Sequence, residues 1–187
     1  MLKLRLFILS FLITAVAVLI YAYATRPPAR QARLPKLVPL SDSIFITSQL
    51  SPGNLPALAH GQLTTVVDIR PDGEDPAQPT SSEMAAAARE NSISFHYIPV
   101  PHESFPEEAV EGLRAVLDAK DGSAVLYCRS GRRAARLYAL AEARRPAGAK
   151  ADDIIKTVSN AGFTADDLRA RIEQNVSNRG PVPIPPP

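Results

Sequence analysis

The sequence contains one cysteine, Cys128, three histidines and no tryptophan in 187 residues. A single cysteine excludes an intramolecular disulfide. With three histidines beside it, it also leaves too few soft ligands for a zinc site of the usual spacing. The thiol is therefore either a small core residue or a reactive group. Acidic residues are missing from the first 36 positions, which hold Lys3, Arg5, Arg26, Arg30, Arg33 and Lys36. Those six leave 15 of the 21 basic residues to face 19 acidic ones, so the rest of the chain carries a formal charge of about −4. An acid-rich body excludes general nucleic-acid binding, which relies on Lys and Arg neutralising phosphates.

Long apolar runs are also scarce. The one present, "LFILSFLITAVAVLIYAYA" at residues 6–24, has no charge and about the length a helix needs to cross a bilayer. Lys3, Arg5 and the small-x-small end at Ala22 to Ala24 also describe a cleavable signal peptide. The unbroken run is long for a signal core, so it predicts an uncleaved single-pass anchor. Four basic residues after the run against two before it favour a cytoplasmic domain, whereas the signal-like start points the other way. The side of the membrane stays open.

Residues 25–39, rich in Pro and Arg, predict an extended linker, and 177–187 a Pro-rich tail. The domain expected between them spans 40–176 and alternates strands with helices. "SIFITSQL" opens as a strand, "NLPALAHGQL" is a short helix ending near Gly61, and "TTVVDIR" is a buried strand. "PDGEDPAQP" is a loop, and "TSSEMAAAARENS" a helix with Ser81 or Ser82 as cap. "ISFHYIPV" is a strand, and "PEEAVEGLRAVLDAK" a helix with Pro at its start and acids in its first turn. "SAVLY" is the strand feeding Cys128, and "RRAARLYALAEAR" the helix leaving it. Two short helices, opened by Asp152 and Asp166, are broken at Gly162. The alternation predicts an α/β fold with a mostly parallel sheet flanked by helices, preceded by the transmembrane helix.

The chemistry concentrates in "YCRSGRRA". A loop leaving a strand and entering a helix N-terminus presents unpaired backbone N–H groups and partial positive charge. Cys128 ends the strand, and Gly131 lets the backbone curl round it. Such a loop holds a tetrahedral anion above the sulfur and favours the thiolate. Arg133 can reach back to clamp two oxygens. Arg129 and Arg132 crowd the same turn, where their charges repel unless an anion sits among them. Apolar Leu137, Leu140 and Ala141 mark the buried face of the helix beyond. The competing reading is a strand-end cysteine packed in the core beside a solvated arginine face.

"YCRSGRRA", with "VVDIRPDGEDPAQPTSSEMAAAA", "HYIPV" and "IFITSQL", resembles the phosphatase-like domain of beta-lactamase-hydrolase-like proteins, a family also labelled a sulfur transferase. The resemblance covers roughly residues 40–145. It implies a dual-specificity-phosphatase-like fold with Cys128 as nucleophile and Arg129, Ser130, Gly131, Arg132 and Arg133 as the oxyanion cradle. Protein tyrosine phosphatases are similar but place five residues between cysteine and arginine. Here that position is Ala134, Arg133 comes one residue early, and Tyr127 stands where a histidine is usual. The shorter loop is similar to rhodanese, whose thiol carries a persulfide. Phosphoryl transfer, sulfur transfer and a non-catalytic anion-binding module are thus the three functional expectations. The substrate expected is a small anionic or phosphorylated molecule, with no metal or organic cofactor.

A phosphatase also needs a general acid for its leaving oxygen. The candidates after "FHYIPV" are His102 and Glu103. Arg70 and Asp72, with Glu74 and Asp75, follow another strand's carboxyl end. They either form a turn or wall the pocket and orient a loop arginine through an ion pair. Asp68, inside its apolar strand, reads as a satisfied structural carboxylate.

Overall fold

Strands of four to six residues alternate with helices from Val38 onward in the computed structural model, which describes residues 14–18, 21, 33–102 and 104–179. The chain divides into two units, residues 1–31 and 32–187. In the first, 14–18 and 21 are helical, and most of the expected anchor lies outside the described residues. Among the described residues no helix is long and apolar enough to cross a membrane.

The second unit holds one sheet, formed by β1 (Val38–Ser41), β2 (Ile44–Thr47), β3 (Leu63–Asp68), β4 (Ser94–Tyr97) and β5 (Ser123–Tyr127). Their order is β1-β2-β5-β3-β4, with β1 antiparallel to β2 and every other pairing parallel. The helices are α1 (Leu55–His60), α2 (Ser81–Glu90), α3 (Glu107–Ala119), α4 (Arg132–Glu142), α5 (Ala151–Asn160) and α6 (Arg169–Ser177). The expected α/β class and mostly parallel sheet are what the chain forms.

Helices cover both faces, and β5 shows how the sequence divides the core. Side chains alternate across a strand. Ala124, Leu126 and Cys128 therefore enter the core beneath α3 to α6, while Val125 and Tyr127 enter the one beneath α1 and α2. Because β5 is apolar on both faces, it reads as a continuous hydrophobic run, the pattern of a central parallel strand.

Several local details differ from the sequence expectations. β1 starts at Val38, inside the stretch expected as linker, because its edge pairing with β2 depends on a partner rather than on its own periodicity. The cap of α2 is Thr80, not Ser81 or Ser82. Its Oγ1 accepts from the Glu83 N–H at 3.3 Å while Glu83 Oε2 accepts the Thr80 N–H at 2.8 Å, a reciprocal box that places both serines inside the helix. Lys150 caps α5 and leaves Asp152 in its first turn, and Asp166 opens a single 3-10 turn before α6. Gly162, at φ +83°, separates the two as the sequence suggests.

Candidate functional site

Cys128 follows the last residue of β5, the strand between β2 and β3, so its sulfur lies at the carboxyl end of the parallel sheet. Gly131 caps α4 in the left-handed region at φ +88°. A Cβ there would lie 2.9 Å from Ile46 Cγ2 and 3.0 Å from Phe163 Cζ, so both conformation and space demand glycine. The backbone N–H groups from Arg129 to Ala134 meet no backbone or side-chain acceptor among the described residues; the next, on Ala135, donates to Gly131 O at 2.9 Å. Six consecutive free amides on a curled loop at a helix N-terminus make an anion receptor. A second strand end braces it, since the Gln49 N–H donates to Arg129 O at 3.3 Å.

A cavity of about 320 Å³ opens here, lined by His102, Phe105, Cys128, Arg129, Ser130, Arg132, Arg133 and Arg136. Cys128 is only 1% exposed and lines this cavity. Arg129, Ser130, Arg132 and His102 are exposed at the rim. Arg133 is buried and pinned at one edge: Nη1 donates to Val100 O at 2.6 Å and pairs with Glu74 Oε1 at 2.7 Å. Glu74 bridges two arginines, because its other oxygen takes Arg70 Nε at 2.9 Å. Burial pushes the Glu74 carboxyl up, but hydrogen bonds and charge from Arg133 and Arg70 outweigh it and hold it below the usual carboxylate range. It therefore stays ionised and fixes Arg133 in place.

The structure thus brings together Cys128, the Arg129–Arg133 loop and His102. Glu103 lies outside the described residues. Arg70 and Asp72 do not line the cavity. Arg70 is buried behind Glu74, with Nη1 donating to Gln49 Oε1 at 2.8 Å. Asp72 turns to the start of α2, where its carboxylate accepts from the Ser81 N–H at 2.7 Å and from Ser81 Oγ at 2.6 Å. Of the two readings of this acidic turn, the ion pair to a loop arginine is made by Glu74. Phe105 was not legible as a wall residue. It sits beneath Arg136, whose guanidinium carbon is 5.6 Å from the ring centroid and whose Nη1 and Nη2 fork onto Asp167 at 2.7 and 2.5 Å.

On the opposite face of the sheet, Asp68 pairs in register with Tyr127 and lies 3% exposed. Burial raises its pKa to about 6, opposed by the nearby Tyr127 hydroxyl and by the Arg70 N–H donating to Oδ1 at 2.9 Å. The Tyr127 hydroxyl, itself buried, lies close to Asp68 but makes no hydrogen bond of good geometry, and burial raises its pKa. Among the described residues no cluster of His, Cys, Asp and Glu could hold a metal ion.

Residues 36–145 match the family model of the beta-lactamase hydrolase-like protein, phosphatase-like domain, and the chain belongs to that family. A beta-lactamase hydrolase-like protein of Xylella fastidiosa is 31% identical over 107 residues, 57% of this chain and 25% of the relative. The chain thus spans about a quarter of the length of the curated relatives it matches. Among solved structures, a candidate phosphatase from Neisseria meningitidis superposes with a TM-score of 0.62 at 24% identity, covering 74% of this chain and 96% of that one. Human DUSP28 superposes with a TM-score of 0.55 at 18% identity, covering 77% and 95%. The fold is therefore phosphatase-like, related to those of tyrosine and dual-specificity phosphatases.

Proposed function

We propose that the chain is a cysteine-dependent phosphohydrolase tethered to a membrane by residues 6–24. The observation that carries the reading is the placement of the Cys128 thiol at the floor of an arginine-lined cavity, beside six unpaired amides. The thiolate attacks phosphorus, forming an S–P bond as the P–O bond to the leaving group breaks and its electrons depart with that oxygen. The loop amides and the unpinned edge of Arg133 stabilise the charge on the transferred group. His102 at the rim supplies the leaving oxygen with a proton where one is needed, and Glu103 is the alternative donor. Water then attacks the phosphocysteine, releasing phosphate and returning the electron pair to sulfur. These steps need no metal or organic cofactor.

One feature favours sulfur transfer instead: Arg133 closes the loop one residue earlier than in tyrosine phosphatases. A tighter cradle suits a persulfide on Cys128, formed when the thiolate bonds to the outer sulfur of thiosulfate and sulfite leaves with the electron pair of the broken S–S bond. Intact-mass measurement of the full chain in detergent, after separate exposure to an aryl phosphate and to thiosulfate, decides between them. A phosphoryl adduct on Cys128 is expected. One added sulfur assigns the chain to sulfur transfer, and no adduct leaves an anion-binding module. Retention of the chain in the membrane fraction after alkaline extraction is expected from the tether, and release would remove it.

A further inference from the structure

Arginines in this fold are mostly neutralised. Eight of them sit in ion pairs with carboxylates among the described residues. Two of those eight line the cavity, where Arg133 has Glu74 and Arg136 has Asp167. Arg129 and Arg132, the other two cavity arginines, form no ion pair among the described residues, and no carboxylate among those residues lines the cavity. Two cations without a salt-bridge partner among the described residues, of which Arg132 is near enough to Asp167 to help lower that carboxyl's pKa, thus stand at the rim of a receptor that already offers six amides and one guanidinium. A single phosphoryl group is met by the amides and the guanidinium of Arg133 inside the loop. The additional pair calls for a second anionic group close to the first.

Leaving-group chemistry allows the same substrate. Among the described residues His102 is the only proton carrier on the cavity wall besides the thiol itself. An alkoxide leaves only with a proton supplied to it. A phosphate, whose second ionisation lies at about 6, departs as a stable anion without one. Cations beside the bridging oxygen stabilise that departing charge directly.

Resting on the phosphohydrolase reading, we propose that the substrate is a phosphoanhydride: Cys128 takes the terminal phosphoryl group, and Arg129 and Arg132 hold the adjoining phosphate. The S–P bond forms as the bridging P–O bond breaks, and the electron pair leaves on the second phosphate, which takes its proton from solvent. Water cleaves the phosphocysteine to a second phosphate, regenerates the thiolate and releases the remaining proton to solvent.

The test measures phosphate release by the full chain in detergent and EDTA, with tripolyphosphate, p-nitrophenyl phosphate and glycerol 3-phosphate as substrates. The parent is expected to prefer tripolyphosphate to glycerol 3-phosphate by tenfold or more. The double variant Arg129→Gln, Arg132→Gln is expected to lose about tenfold or more in kcat/KM on tripolyphosphate and several times less on p-nitrophenyl phosphate. Both side chains are exposed, and matched thermal melts check that the variant is folded. Equal losses on both substrates, or an aryl phosphate hydrolysed while tripolyphosphate is not, overturn the anhydride assignment and leave the phosphohydrolase standing. No turnover of any of the three removes the phosphohydrolase reading, and this one with it.

Discussion

Two neighbouring residues at the end of β5 face opposite worlds. Cys128 enters a cavity walled by Arg129, Arg132, Arg133 and Arg136, next to free backbone amides. Tyr127, one residue earlier, enters the core beneath α1 and α2 beside the buried carboxyl of Asp68. One side of the strand favours negative charge. The other resists it strongly enough to raise Asp68 to about 6. The strand's period of two separates them, and it means that a nucleophile and a structural acid can be sequence neighbours of each other's partners without sharing an environment. Glu74 belongs with the first side: it lies between Arg70 and Arg133, and its charge keeps two buried cations tolerable.

The comparison can be broken most severely at the sulfur. Cys128→Ser is expected to reduce turnover at least about 1,000-fold while leaving the melting curve nearly unchanged, since the hydroxyl fits the thiol's space. A variant that retains turnover would move the chemistry away from this residue. Next in size, Gly131→Ala is expected to cost about 2 kcal/mol or more in urea denaturation and to abolish adduct formation. It adds a Cβ at φ +88° against Ile46 and Phe163.

Glu74→Gln should destabilise by about 1–3 kcal/mol, because Arg70 and Arg133 lose their shared carboxylate. Sulfate in the buffer should recover more of that loss than it adds to the parent, by occupying the cavity beside Arg133; an equal gain in both would detach Glu74 from the site. Of opposite sign is Asp68→Asn. A folded-state pKa raised from 3.8 to about 6 makes the carboxyl's contribution most favourable below pH 4 and progressively lost as pH rises through 6. The asparagine keeps an acceptor for the Arg70 N–H without the charge. The variant is expected to melt higher than the parent at pH 7–8, by up to about 3 kcal/mol, with the gap closing below pH 4. A constant gap across that range would mean that Asp68 does not titrate there.

Much of this was legible in the residues, and the reasons are local. β-branched runs at 64–67 and the apolar "SAVLY" announce buried strands, and Pro106 followed by Glu107 and Glu108 announces the start of α3. A lone cysteine between a strand and an Arg-Ser-Gly-Arg-Arg turn announces an anion receptor, because helix N-termini expose amides whatever surrounds them. β1 was hidden, since an edge strand of four residues has no pattern of its own apart from its partner. Phe105 was hidden too, since an aromatic in a loop becomes a wall only when Arg136 of α4 stacks over it.

By itself, the sequence determined the order of strands and helices from β2 onward, the loop that curls over Cys128, and the glycine that lets it do so. These depend on backbone sterics, capping and side-chain period, which act over a few residues. Tertiary structure alone decided that β5 lies between β2 and β3, that Glu74 rather than Asp72 meets the loop arginine, and that Arg129 and Arg132 form no ion pair among the described residues. Each of those depends on which distant side chains share a few ångströms of low-dielectric space, and no interval along the chain encodes that distance.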